Sequence, residues 1–142
     1  MPQHSETRFL PYTPQQLFDL VADIGRYPEF LPWCKGARIL KRDGDVVTAD
    51  LIIGYKMFQE KFKSEVTLDV PRKIAVRYLS GPLAHLTNEW GFKPSGKGCD
   101  LSFHVDFDFH SSILGAAMEM FFDKAILKMV AAFEERAKEL YG

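Results

Sequence analysis

The sequence predicts an α+β domain: a curved antiparallel sheet covered by one long C-terminal helix, with two short helices after the first strand. Three patterns carry this. Residues 47–109 contain runs that alternate apolar and polar side chains, the habit of strands with one dry and one wet face. Residues 114–140 carry a broad apolar stripe at helical spacing with no proline inside it. Between the N-terminal strand and the sheet lies a short helical pattern broken by glycine and proline, residues 14–32.

In chain order, Thr13 suits an N-cap, Pro14 the first helical position, and Gln16 the third residue of a capping box. Leu17, Phe18, Val21 and Ile24 recur on one helix face, and Gly25 is the expected stop. Pro28 is expected to open a second short helix through Phe30, and Pro32 to end it. "RDGD" around Gly44 reads as a hairpin turn. Val47, Ala49, Leu51, Ile53 and Tyr55 alternate with Thr48, Asp50 and Gly54. Phe62, Ser64, Val66, Leu68 and Val70 alternate with Lys63, Glu65, Thr67 and Asp69. Leu101, Phe103, Val105, Phe107 and Phe109 alternate with Ser102, His104, Asp106 and Asp108. Two weaker strands, 74–79 and 86–93, are expected, with turns at Gly81-Pro82 and Ser95–Gly98. The final helix starts at a cap from Ser111 or Ser112. If continuous to Tyr141, it runs about 45 Å at roughly 1.5 Å per residue.

At 142 residues the chain suits a single domain, 1–142, and 46% hydrophobic residues supply a core. The net charge of -1 sets up no global field for nucleic acid or acidic substrates, and DNA is not an expected partner. Lys35, Arg38, Lys41 and Arg42 form a local basic cluster. It reads first as a solvated strand face, and second as a contact for phosphates or anionic lipid. No secretory pattern and no membrane-length apolar run is present, so a cytoplasmic protein is expected, with membrane contact only peripheral, at the inner face. Cys34 and Cys99 lack metal or redox spacing and read as reduced structural thiols. His104, Asp106, Asp108 and His110 share a strand face, but in the wet phase, so they are expected to be solvated rather than to bind a metal.

One stretch resists this reading. "GRYPEFLPWC", residues 25–34, is bent by two prolines yet carries Tyr27, Phe30, Leu31 and Trp33. Burying each is worth roughly 1.5–3 kcal/mol, so the core, a partner or an apolar ligand must cover them.

The pattern Leu17-Phe18-Asp19-Leu20-Val21-Ala22-Asp23, then Tyr27-Pro28, Phe30 and Pro32-Trp33-Cys34, resembles the coenzyme-Q-binding protein family of the START-like, polyketide-cyclase-like superfamily. "EKFKSEV" (60–66) and "GPLAHLTNEWGF" (81–92) extend the likeness, which runs from Thr7 to Leu140. Leu83 stands where the family more often has an aromatic residue. The resemblance implies a helix-grip fold, in which the sheet grips the last helix around an apolar tunnel. It implies binding of an isoprenoid quinone of ubiquinone type in support of respiration, with no established catalysis and no required cofactor. Bacterial relatives also carry the label of ribosome-association toxin. That keeps open a second reading, an inhibitor contacting the large ribosomal subunit through Lys35–Arg42. A third is an enzyme of the cyclase or aromatase kind.

Within that frame, Phe30, Leu31 and Trp33, with Tyr27 more weakly, are expected at the tunnel rim, the alternative being that they cap the core. Met118, Phe121, Phe122, Ile126 and Met129 are the helix residues most able to line a tunnel, and Leu51, Ile53, Phe62, Val66, Phe103 and Phe107 their counterparts on the sheet. All of these also suit plain core. Asn88 shares a phase with Leu86 and Trp90, so its amide must bond backbone, water or a quinone carbonyl. Ser64, Tyr55 and Tyr78 are weaker versions of the same case. The dry phase of the strands offers no carboxylate or histidine for acid–base chemistry. That favours carrying over transformation, with residues 25–34 as a proline-hinged lid.

Overall fold

The computed structural model describes residues 3–55, 58–81, 83–109 and 112–142, with residues 55, 58, 109 and 112–123 described by backbone alone. The elements run β1 (Gln3–Leu10), α1 (Pro14–Ala22), a 3-10 helix (Ile24–Glu29), β2 (Cys34–Asp43), β3 (Val46–Tyr55), β4 (Phe58–Asp69), β5 (Lys73–Ser80), β6 (Leu83–Ser95), β7 (Gly98–Phe109) and α2 (Ser112–Tyr141). All strands form one antiparallel sheet in the order β1-β7-β6-β5-β4-β3-β2. The fold is the expected curved sheet gripping a C-terminal helix.

Gln16 N–H donates to Thr13 Oγ1, and the Gln16 side chain accepts from Thr13 N–H, closing the capping box. The hairpin joining β2 and β3 pairs Asp43 with Val46, and Gly44 takes the positive φ of 61° that a tight turn needs. The strands are longer than expected from alternation alone: β4 begins at Phe58 and β6 at Leu83. Pro82 and the expected cap residue Ser111 lie outside the described residues.

The region after α1 departs from expectation. α1 stops at Ala22, and Gly25 lies inside the 3-10 helix rather than ending α1. Pro28 also lies inside it instead of opening a separate helix. This is tolerable because the carried bonds avoid Pro28: Arg26 N–H donates to the Asp23 carbonyl, and Phe30 and Leu31 N–H both donate to Tyr27.

Facing the sheet, α2 buries Ile126, Val130, Phe133 and Ala137, spaced to fall on one face. Its far half is tied down by ion pairs. Arg8 Nη1 on β1 lies 2.6 Å from Glu134, and Arg136 Nη2 lies 2.8 Å from Glu29 on the 3-10 helix. The Arg136 guanidinium also sits 5.3 Å from the Phe30 ring centre. No described helix is long and apolar enough to cross a membrane.

Asp50 needs a correction. It occupies the wet phase of β3 but is buried, 9% exposed, with Oδ1 lacking a hydrogen-bond partner among the described residues. Arg38 and Lys63 are its register partners on β2 and β4, so a long side chain stands in register on each side.

Candidate functional site: an apolar cavity between sheet and helix

Between the inner face of the sheet and α2 lies a cavity of about 230 Å³. The sheet contributes Leu51, Ile53, Phe62, Val66, Trp90, Phe103 and Phe107, and α2 contributes Ile126 and Met129. Leu31 and Trp33 close it from the segment before β2. Apolar cavities of about 150 Å³ already admit a benzene-sized ligand, so this one admits a ring with part of a chain.

Twelve of the residues expected at a tunnel thus surround one space: Leu31, Trp33, Leu51, Ile53, Phe62, Val66, Asn88, Trp90, Phe103, Phe107, Ile126 and Met129. The side chains of Met118, Phe121 and Phe122 lie outside the described residues, as does that of Tyr55. Phe30 is placed differently from the rim expectation. It is absent from the cavity lining and packs its ring 5.1 Å from Phe133 and 6.1 Å from Tyr27, under Arg136. The reason is local: the residue after the 3-10 helix points back onto α2. Tyr27, by contrast, does line the cavity.

Phe133 was not singled out as a lining residue, although it sits on the helix stripe seven residues after Ile126. It is the hub of the cavity's aromatic wall, 5.4 Å from Tyr27 and 5.0 Å from Trp90, while Trp90 stacks edgewise 4.7 Å from Phe103. Trp33 meets Lys128 of α2, whose Nζ lies 5.5 Å from the ring centre.

The polar groups are mostly committed to the protein itself. Tyr27 donates its hydroxyl to the Val21 carbonyl, and burial pushes its pKa well up. Burial likewise raises the Cys34 thiol, whose Sγ lies 3.4 Å from the Gly36 carbonyl, so it stays protonated and poorly nucleophilic. Both polar atoms of the Asn88 amide already bond the protein: Oδ1 accepts from Trp90 Nε1 at 2.9 Å, and Nδ2 donates one of its two N–H groups to the His104 carbonyl at 2.9 Å. Its evident task is to orient Trp90. Asn88→Leu should therefore cost about 1–3 kcal/mol, since it strands a buried indole N–H. Urea denaturation measures this, and an unchanged midpoint would refute the role.

Among the described residues, no Asp, Glu, His, Lys or Arg lines the cavity, and no group of His, Cys, Asp and Glu could hold a metal ion. On the outer face, His104 bonds Ser5 and His85 lies 3.3 Å from Asp106, a surface network. His110 lies outside the described residues.

The chain matches the family model described as "Polyketide cyclase / dehydrase and lipid transport" over residues 10–134 and belongs to that family. It is 41% identical over 138 residues to "Ribosome association toxin RatA" of Rickettsia prowazekii, covering 94% of each chain. It is 32% identical over 145 residues to "Coenzyme Q-binding protein COQ10 homolog B, mitochondrial" of Xenopus laevis, covering 99% of this chain and 59% of that one. Among solved structures, an 18 kDa protein from Caulobacter crescentus is 40% identical and superposes with a TM-score of 0.79, covering 100% of this chain and 99% of that one. These relatives bear out the resemblance read from residues 17–34, and the family is a START-like, lipid-binding one.

Proposed function

We propose that the cavity holds a neutral isoprenoid lipid of quinone type, and that the protein carries this lipid without transforming it. One observation bears most of the weight: the described lining joins large apolar side chains to a few neutral polar groups and includes no ionisable acid or base of the Asp, Glu, His, Lys or Arg kind. Burying each methylene contributes about 0.8 kcal/mol, so a hydrocarbon tail binds such a wall without charge. A relative named as a coenzyme-Q-binding protein supports the choice of headgroup. Loading would occur at the inner face of the membrane, through residues 25–34 moving as a lid.

Solvent extraction of the purified protein followed by mass spectrometry tests this. Co-purifying quinone is the expected result. An extract without quinone, together with failure to take up added quinone from vesicles, overturns it.

A specific feature favours a second reading. Lys35, Arg38, Lys41 and Arg42 are exposed on the edge strand β2, and none forms an ion pair with a described residue. With relatives named as ribosome association toxins, this strand becomes a face for ribosomal RNA phosphates on the large subunit. Co-sedimentation with ribosomes that weakens steeply with salt is its signature. The amount of lipid bound at equilibrium is largely indifferent to salt, so the two readings separate in one titration.

A further inference from the structure

The cavity's polar groups are not equivalent, and hydrogen-bond accounting separates them. Asn88 already uses both its polar atoms, Oδ1 on Trp90 Nε1 and Nδ2 on the His104 carbonyl, and Tyr27 is bonded to Val21. Ser64 also lines the cavity, yet its hydroxyl makes no hydrogen bond with any described residue. Tyr78 lies beside it. Its hydroxyl oxygen accepts from Leu83 N–H at 2.8 Å, which leaves its own proton uncommitted.

These two residues are register partners across β4 and β5, and Ala49, the partner of Ser64 on β3, is small and also lines the cavity. The β4–β5 register slips between Lys63 and Ser64: Lys63 faces Ser80 and Ser64 faces Tyr78, so Leu79 is an extra residue, 42% exposed. Bulges of this kind re-aim side chains and concentrate beside functional sites. Here one sits at the row that carries both available hydroxyls.

We propose that Ser64, seconded by Tyr78, is the polar anchor of the cavity, donating a hydrogen bond to a neutral oxygen, a carbonyl or ether, on the ligand's headgroup. The anchor rests on the carrier reading above and locates its headgroup on β4–β5 rather than at Asn88. Chemically, a donor without a partner disfavours an oxygen-free hydrocarbon pressed against it and favours an oxygenated ring. It excludes neither tail length nor ring substitution. Because both donors are neutral, an anionic headgroup gains no ion pair among the described lining residues.

The test compares two probes of equal tail, decyl-benzoquinone and decylbenzene, by displacement of a bound apolar fluorophore. Wild type should prefer the quinone. Ser64→Ala should weaken the quinone roughly 3–10-fold, the scale of one neutral hydrogen bond, and leave decylbenzene unchanged or tighter. Tyr78→Phe should narrow the same ratio by a smaller factor, and it keeps the question open to test should the serine variant fold poorly. If both variants keep the wild-type ratio, the anchor is refuted while the carrier reading stands. If wild type binds neither probe, the carrier reading falls and the anchor with it.

Discussion

Phe133→Ala should remove about 3–5 kcal/mol of folding stability, the range for deleting a fully buried phenylalanine and leaving its space behind. Phe133 is 2% exposed and touches Tyr27, Phe30 and Trp90, rings contributed by the 3-10 helix, the residue after it and β6. Its loss therefore unseats three elements at once. Domains of this kind hold only about 5–15 kcal/mol in total, so the variant should melt well below wild type and expose its tryptophans early in urea. A loss under about 1 kcal/mol would mean that α2 is held to the sheet chiefly by its ion pairs, and the aromatic hub would be incidental.

Ala125→Phe should abolish uptake of the lipid, at least ten-fold in affinity, with the fold intact. Ala125 lines the cavity on α2, one residue before Ile126. A benzyl group there projects into the 230 Å³ hollow and competes directly with the ligand. Phe costs a helix a few tenths of a kcal/mol relative to Ala, but filling empty apolar space commonly returns more than that. The melting temperature should accordingly hold or rise. Quinone titration alongside thermal denaturation decides the matter. Undiminished affinity in a well-folded variant would mean that the lipid sits elsewhere.

How much of this could be read from the residues follows from which physics is local. The capping box at Thr13 and Gln16 and the two-residue turn at Gly44 are short-range chemistry, and both were legible. So were the strands, because period-two alternation records which face is dry. The junction at residues 22–29 was not: an α-helical stop at Gly25 and a 3-10 turn use the same residues, and the outcome depends on where Tyr27 packs. Ten of the twelve cavity residues could be named from strand or helix phase, and Leu31 and Trp33 from the proline-broken segment 25–34, but phase alone cannot distinguish a hollow from a filled core. That depends on the gap between two elements far apart in sequence. The ranking of the polar groups depended on register. Asn88 was the evident candidate for a headgroup, and only its proximity to Trp90 and the His104 carbonyl showed it to be occupied. Ser64 drew less notice because nothing local marks the slip at Leu79. Phe30 shared every signal with Leu31, and only the direction of the chain after the 3-10 helix separated them.

One guanidinium grips both a carboxylate and a ring of the proline-rich hinge: Arg136 holds Glu29 while lying against Phe30. The hinge and the C-terminal rod are thereby latched together by a contact that is half electrostatic, and the Glu29 side chain is 48% exposed to bulk ions. Screening shrinks to a few ångströms as ionic strength climbs toward molar. Salt should therefore slacken the latch and hasten both the entry and the escape of cargo, making exchange kinetics, rather than holding capacity, the quantity that the surrounding electrolyte controls.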